Sequence, residues 1–211
     1  MKRLTAVICL FFLALAFAGS EVSAARKKTP ISDGEFKQFY PSGALQKTEN
    51  YKFDLLDGQV TEYYENGSRK SVTRYVKGLR EGEAGTYWAT GLLKTQGAYK
   101  NNELHGAFRT YDEKGLPEKE ETYENGILSG EARFYYPSGL IRKQMTYKKA
   151  FLNGILTEFS ETGEVIAQEV YKDGILVEKL KTGQDKDLVS KAKAEVEAEA
   201  RAAELKKKDK R

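Results

Sequence analysis

Few side chains in this sequence are suited to acid–base or nucleophilic chemistry, and they are scattered along the chain. His105 is the only histidine and Cys9 the only cysteine. An active site needs such groups brought together with a base or a metal ligand. The residues equivalent to His105 in the repeat described below suit an exposed turn: Asp57, Glu81, Ser129 and Asn153. We therefore expect no catalytic residue and no enzyme.

Acidic side chains form one close group, Glu118, Glu120 and Glu121. Neighbouring side chains of a strand point to opposite faces, so we expect Glu120 to lie away from the other two. No histidine or cysteine completes a transition-metal site. The glycines are isolated and lack the Lys-Ser/Thr pair or helix start of a phosphate-binding loop. We expect neither a metal nor a cofactor.

The elements that carry these residues are repeats of 24 residues, as the step from Gly34 to Gly58 shows. Three columns keep this step without insertion or deletion, namely glycines 34, 58, 82, 106, 130 and 154, glycines 43, 67, 91, 115, 139 and 163, and tyrosines 51, 75, 99, 123, 147 and 171. A fixed period of this length indicates an architecture in which neighbouring units supply each other's core.

Each unit contains two extended, aromatic-rich stretches around a turn that ends in glycine, and a second turn follows the column tyrosine. Two strands and two tight turns fill the period. The predicted fold is all-β, an elongated, twisted antiparallel meander of about twelve strands, built from six 24-residue hairpin repeats over residues 34–176. The second turns at 52–55 and 148–151 lack glycine, which leaves their type open.

Alternation along the strands separates two faces. Gly34, Phe36 and Tyr40 share the core face, and a two-residue loop at Ser42-Gly43 would place Leu45 opposite Tyr40 and Tyr51 opposite Gly34. The other face, called the column face below, carries charges that include Lys37, Arg109, Arg133 and Arg142. It also carries the candidate partner-binding residues Phe39, Tyr63, Tyr87, Tyr111, Tyr135 and Phe159.

The two ends differ from the repeats. Lys2 and Arg3 precede an apolar run over residues 4–18, which predicts a signal peptide at 1–24, a linker at 25–33 and export to the periplasm or the extracellular space. An uncleaved anchor is the alternative. Residues 177–211 form a charged tail in which the abundance of alanine, glutamate and lysine predicts a helix over 186–206.

The units share the pattern G-x-φ-x-x-[YF]-[YW]-x-x-G, followed by a tyrosine eight residues later and then by an N-G or D-G turn with leucine. This pattern resembles the bacterial variant of the MORN repeat, the form found in YwqK-like antitoxin proteins. The resemblance covers residues 34–176. It implies an antiparallel sheet of hairpins that serves as a binding scaffold and has no catalytic centre. It also implies comparison with bacterial immunity proteins that bind a toxin, and with eukaryotic members associated with scaffolding and membrane lipids.

Three functions fit these patterns. The leading hypothesis is a protein partner bound along the sheet in the cell envelope, with an immunity or antitoxin role as a special case and a homodimer as an open alternative. The second is glycan or peptidoglycan binding through the exposed rings. The third is association with an anionic membrane surface through the lysine-rich end. A formal charge of +4, from 35 basic and 31 acidic residues, does not indicate a nucleic-acid partner.

Overall fold

The computed structural model describes residues 33–180 together with Ala194 and Ala198, which are helical and exposed. Residues 34–180 form one antiparallel sheet. Its strands are β1 (Gly34–Phe39), β2 (Leu45–Lys52), β3 (Leu55–Leu56), β4 (Gly58–Tyr63), β5 (Arg69–Val76), β6 (Leu79–Tyr87), β7 (Leu93–Lys100), β8 (Glu103–Leu104), β9 (Gly106–Tyr111), β10 (Pro117–Glu124), β11 (Ile127–Tyr135), β12 (Ile141–Lys148), β13 (Phe151–Leu152), β14 (Gly154–Phe159), β15 (Val165–Lys172) and β16 (Ile175–Leu180).

Strand order follows chain order from β1 to β16, so the predicted all-β meander of hairpin repeats is confirmed. The two-residue strands β3, β8 and β13 lie beside this path, which holds thirteen strands instead of about twelve because β16 adds one after the last repeat. The sheet is open, with β1 and β16 at its two edges. The six hairpins are numbered below as hairpin 1 (β1, β2), 2 (β4, β5), 3 (β6, β7), 4 (β9, β10), 5 (β11, β12) and 6 (β14, β15).

The first turn of each unit is a three-residue loop closed by a bulge. In hairpin 1 the amide of Gly43 donates to the carbonyl of Tyr40 at 2.9 Å, and the amide of Tyr40 donates to the carbonyl of Ala44 at 2.8 Å. Gly43 has φ of +88°, a left-handed conformation in which glycine has no steric penalty. This is the type I turn followed by a left-handed residue that commonly joins antiparallel strands.

The longer loop changes the pairing near the turn. Leu45 lies opposite Phe39, so the predicted pairing of Leu45 with Tyr40 is wrong. A bulge next to this pair absorbs the odd residue, and Gly34 lies opposite Tyr51 as predicted. The same glycine and tyrosine columns face each other in the other five hairpins.

The second turns all have the same type, including the two whose type the sequence left open. Both central residues have positive φ in every unit, for example +51° and +62° at Phe53 and Asp54, and +52° and +68° at Lys149 and Ala150. This is the type I′ geometry, whose twist matches that of the flanking strands. The requirements of the hairpin therefore override the unfavourable residue types.

Each second turn after the first also forms a hydrogen bond to the preceding repeat. The amide of Gly78 donates to the carbonyl of Leu56 at 2.7 Å, and four further amides make the equivalent bond at 2.8 to 3.1 Å, those of Asn102, Gly126, Ala150 and Gly174. The junction between repeats contains a bulge whose glycine has positive φ, as at Gly58 with φ of +124°. A unit without its neighbour would leave these groups unpaired, which is why the repeats depend on one another.

The core lies on the predicted face but is thin. Buried apolar side chains among the described residues are Val60, Ala132, Met145 and Leu180, and the first three lie on the core face. The carboxylates of Glu49 and Glu121 are also buried there, where each accepts an ion pair from a lysine two residues earlier. Half-buried tyrosine rings cover much of the remaining core face.

The predicted signal peptide at 1–24 lies outside the described residues, as does the linker at 25–33 except for Asp33. Residues 177–180 of the predicted tail belong to β16, and Ala194 and Ala198 are the described residues of the predicted helix over 186–206. The part of the chain with described structure contains no helix that combines the length and the hydropathy of a membrane span.

Candidate protein-binding face

The six candidate residues lie at equivalent places on the column face. Each is the last residue of the first strand of its hairpin, at Phe39, Tyr63, Tyr87, Tyr111, Tyr135 and Phe159. Their partners across the hairpins are Leu45, Arg69, Leu93, Pro117, Ile141 and Val165. The sheet therefore places aromatic and mostly aliphatic side chains in one band beside the first turns, although no two of the rings are adjacent in the sequence.

The rings of this band differ in exposure. Phe39 is 58% exposed at the β1 edge, whereas the other five rings are half-buried. The guanidinium of Arg69 lies over the Tyr87 ring, 5.7 Å from its centroid, which is within the range of a cation–π contact. This contact holds the Tyr87 ring in place, and part of each ring in the band remains accessible.

A second band runs beside the rings, and its members face each other strand by strand across the whole sheet. From β1 to β16 they are Lys37, Thr48, Thr61, Val72, Gly85, Gln96, Arg109, Glu120, Arg133, Gln144, Thr157 and Gln168, ending opposite Leu180. Hairpins 2 and 3 contribute only uncharged residues to this band. Its charged members other than Lys37 lie in hairpins 4 and 5.

The charges of hairpins 4 and 5 form one network. Glu120 accepts from Arg109 at 2.7 Å and lies 3.6 Å from a nitrogen of Arg133, which also pairs with Glu131 at 2.5 Å. Gln144 donates to the other oxygen of Glu131. The side chains of Arg109 and Arg133 are 46% and 36% exposed, so each pair by itself contributes little to stability. The network mainly fixes the two guanidinium groups on the surface.

Tyr135 connects the network to the aromatic band, because its hydroxyl donates to Glu120 at 3.4 Å. Burial and the negative charge of Glu120 raise the pKa of Tyr135. The phenol therefore stays protonated at neutral pH and remains a hydrogen-bond donor.

Beside Tyr87, the missing side chain of Gly85 leaves a cavity of about 110 Å³ lined by Val72, Leu93 and Gln96. The band of rings is thus flanked by a charged network in hairpins 4 and 5 and by a small depression beside hairpin 3.

Alternation along β10 indicates which face each acidic side chain occupies. Glu120 does lie on the opposite face from Glu121, which pairs with Phe108 on the core face. Its role as the acceptor shared by Arg109 and Arg133 was missed. Opposite charges at directly paired positions are the signal that could have revealed it once the register was known.

Arg142 does not belong to the column face, contrary to the prediction. It is the extra residue of the bulge beside the first turn of hairpin 5, between Ile141, opposite Tyr135, and Lys143, opposite Phe134. The bulge breaks the alternation, and Arg142 lines a cavity together with Phe134 of the core face.

His105 is exposed, and its backbone amide donates to the carbonyl of Ala98 at 2.9 Å. Within residues 33–180, no group of three or more histidine, cysteine, aspartate and glutamate side chains is placed to hold a metal ion. The described surface therefore offers contact groups, namely rings, guanidinium groups and carboxylates.

The profile of the MORN repeat variant matches the chain at residues 32–53, 56–77, 104–125, 128–149 and 152–173. These matches fall on hairpins 1, 2, 4, 5 and 6. The stretch between them folds as hairpin 3 with the same register and turns. No curated protein matches the chain. Repeats of this kind are non-enzymatic modules that in general bind proteins or membranes. With more than half of its residues matched and all six hairpins in phase, the chain belongs to the family of MORN repeat variant proteins.

Proposed function

We propose that this protein is an exported, non-enzymatic scaffold that binds a protein partner in the cell envelope through its column face. The observation that carries the proposal is the band of half-exposed rings beside the Arg109, Glu120 and Arg133 network. Aromatic and arginine side chains supply most of the anchor energy at protein interfaces. An ordered network lowers the entropic cost of holding the arginines for a partner.

The exposure of the rings favours a protein over a glycan as the ligand. Stacking on a sugar needs an open ring face, whereas five of the six rings are half-buried and the guanidinium of Arg69 lies over the ring of Tyr87. The chain also has one tryptophan, Trp88, which lies on the core face. Alternating acceptors and donors beside the rings, by contrast, suit the mixed polar rim of a protein interface.

The location in the envelope is supported by the amino-terminal sequence alone. Lys2 and Arg3 are followed by the apolar run over residues 4–18, which is typical of a secretory signal. An immunity or antitoxin role is a special case of the proposal, in which the partner is a toxin. Finding a toxin encoded beside this chain would support that role, and expressing both together would measure protection directly.

The proposal is tested with the full chain by crosslinking in the native envelope followed by mass spectrometry. Phe39→Ser removes the most exposed ring of the band, and Phe53→Ser is a matched control because Phe53 is 77% exposed but lies in the second turn of the same hairpin. Exposed rings contribute little to folding, so both variants should fold. We expect Phe39→Ser to reduce the recovered partner severalfold and Phe53→Ser to leave it unchanged.

Equal recovery with both variants would contradict the use of the column face. Failure to recover any protein under mild salt would contradict protein binding itself. Sedimentation with purified cell wall would then point to a glycan, and flotation with anionic liposomes would point to a membrane surface.

A further inference from the structure

Three tyrosines each form a hydrogen bond from their own hairpin to the next one along the sheet. The hydroxyl of Tyr40 donates to the carbonyl of Tyr63 at 2.7 Å, that of Tyr64 to Tyr87 at 2.8 Å, and that of Tyr136 to Phe159 at 2.7 Å. Each donor is the residue before the first-turn loop, and each acceptor lies 23 residues later, in the aromatic band of the next hairpin. The tyrosine ring therefore lies across the junction of two hairpins.

Hairpin 4 has an aspartate at this position. The carboxylate of Asp112 accepts hydrogen bonds from the amides of Lys114 at 2.9 Å and Leu116 at 2.8 Å, so it caps its own turn and does not cross to hairpin 5. The equivalent acceptor would be the carbonyl of Tyr135. Among residues 33–180, no side chain donates to that carbonyl.

A cavity of about 290 Å³ lies at this junction. Its charged lining residues are Asp112, Glu118, Lys119 and Arg142, and its apolar lining includes Pro117, Phe134 and Pro137. The corresponding cavity between hairpins 1 and 2, where a tyrosine is present, is about 200 Å³. The loss of one ring thus accompanies a larger space at the same place in the repeat.

Phe134 makes this cavity chemically different from the others. At the equivalent position the other hairpins carry polar side chains, Gln38, Glu62, Thr86, Thr110 and Glu158. Phe134 is only half-buried and does not fill the space. Phe134 and Tyr135 line the same cavity, and the carbonyl of Tyr135 is equivalent to the three that accept from tyrosines in other hairpins. Aromatic pairs in offset or edge-to-face contact are favourable.

We propose that this cavity is a binding subsite for a tyrosine side chain of a partner protein. The ring packs against Phe134, and the hydroxyl donates to the carbonyl of Tyr135, as three tyrosines of this chain do at the equivalent carbonyls. Residues 1–39 and 172–211 contain no tyrosine, and all 13 tyrosines lie within the repeats between Tyr40 and Tyr171. The inference rests on the proposed protein-binding function and adds an anchor beside the first turns of hairpins 4 and 5, next to Pro117 and Tyr135 of the aromatic band.

The test uses p-cresol, the side-chain analogue of tyrosine, with the full chain and detection by NMR. We expect saturable binding of millimolar order, typical of a small fragment, with shifts of the Phe134 and Tyr136 ring signals. Toluene, which lacks the hydroxyl, should bind severalfold more weakly. Asp112→Tyr places the chain's own ring in the cavity and should abolish p-cresol binding while raising the melting temperature.

Trp88→Tyr is the matched control, because it changes the same position of hairpin 3 and leaves the cavity unaltered. It should keep p-cresol binding. Phe134→Thr, which introduces the residue present at Thr86 and Thr110, provides a second variant and should weaken p-cresol at least about tenfold, a difference of about 1.4 kcal/mol.

No saturable binding, or equal binding to the parent protein and to both cavity variants, would overturn the subsite. Failure of the subsite and failure of the proposed function are distinguishable. An envelope partner that is recovered without any p-cresol binding contradicts the subsite alone. Absence of any protein partner contradicts the proposed function.

Discussion

The hydroxyl of Tyr64 lies 2.8 Å from the carbonyl oxygen of Tyr87, which is 23 residues further along the chain and in the next hairpin. Two residues from adjacent columns of neighbouring repeats are thereby joined outside the strand ladder. Because other hairpins carry a different residue at the donor position, this hydrogen bond is not present at all five junctions between hairpins. The residue at this position therefore decides whether a side chain joins two neighbouring hairpins, which the shared 24-residue pattern does not show.

Tyr64→Phe removes the hydrogen bond to the carbonyl of Tyr87 and keeps the aromatic ring. We expect the free energy of unfolding to fall by about 1 kcal/mol, the usual net contribution of a hydrogen bond, as measured by urea unfolding. Tyr63→Phe is the control, because the Tyr63 hydroxyl has no hydrogen-bond partner among the described residues. Equal losses in the two variants would show that the hydroxyl of Tyr64 does not join the hairpins.

Gly97 is required by packing on the core face. A Cβ atom at this position would lie 2.6 Å from Cδ2 of the Phe108 ring in the next strand. Gly97→Ala should therefore lower the free energy of unfolding by about 1 to 3 kcal/mol through overpacking. The cost should shrink when Phe108 is also changed to alanine, which a double-mutant cycle measures. An unchanged cost in that background would exclude the ring as the cause.

The second turn of hairpin 5 contains a non-glycine residue with positive φ, Ala150 at +68°. Left-handed conformations cost a residue with a Cβ atom roughly 1 to 2 kcal/mol. Ala150→Gly should raise the free energy of unfolding by about 1 kcal/mol. Gly126→Ala is the mirror experiment, since Gly126 has φ of +75° and an added Cβ would meet only ordinary contacts at 3.7 Å or more. Thermal denaturation should show shifts of opposite sign.

The last strand, β16, is joined to β15 by the ion pair between Lys179 and Glu169, at 2.9 Å. Hydrogen bonds from Lys179 and then from Tyr171 lower the pKa of Glu169 below its ordinary value of 4.5. A carboxylate whose pKa is lower in the folded state stabilises the fold above its ordinary pKa, and this contribution is lost as the pH falls through the folded-state pKa.

Lys179→Met should therefore raise the pKa of Glu169, seen as a higher midpoint of its side-chain carboxyl ¹³C shift between about pH 2 and 7. Lys172→Met is the control, because Lys172 lies on the same pair of strands but makes no contact with Glu169. A midpoint that is unchanged in Lys179→Met would show that the pair is absent in solution.

The period of 24 residues was enough to predict the meander, the two faces and the pairing of Gly34 with Tyr51. The pairing of Leu45 was wrong because one residue more or less in a turn is not visible in a hydrophobic pattern. Type I′ geometry at Phe53 and Asp54 was likewise hidden, since the flanking strands impose it on residues that do not favour it. Arg142 was misplaced for the same reason, as a bulge follows from the loop length.

The sequence by itself determined the repeat unit, its strands and the residues that share a face, because these depend on periodicity and on local turn chemistry. Only the tertiary structure decided which side chains of different hairpins meet, as Glu120 does with Arg109 and Arg133, and where Asp112 leaves a cavity in front of Phe134. Such contacts depend on register and on side-chain reach between strands, and a shift of one residue in a single turn would replace every one of them.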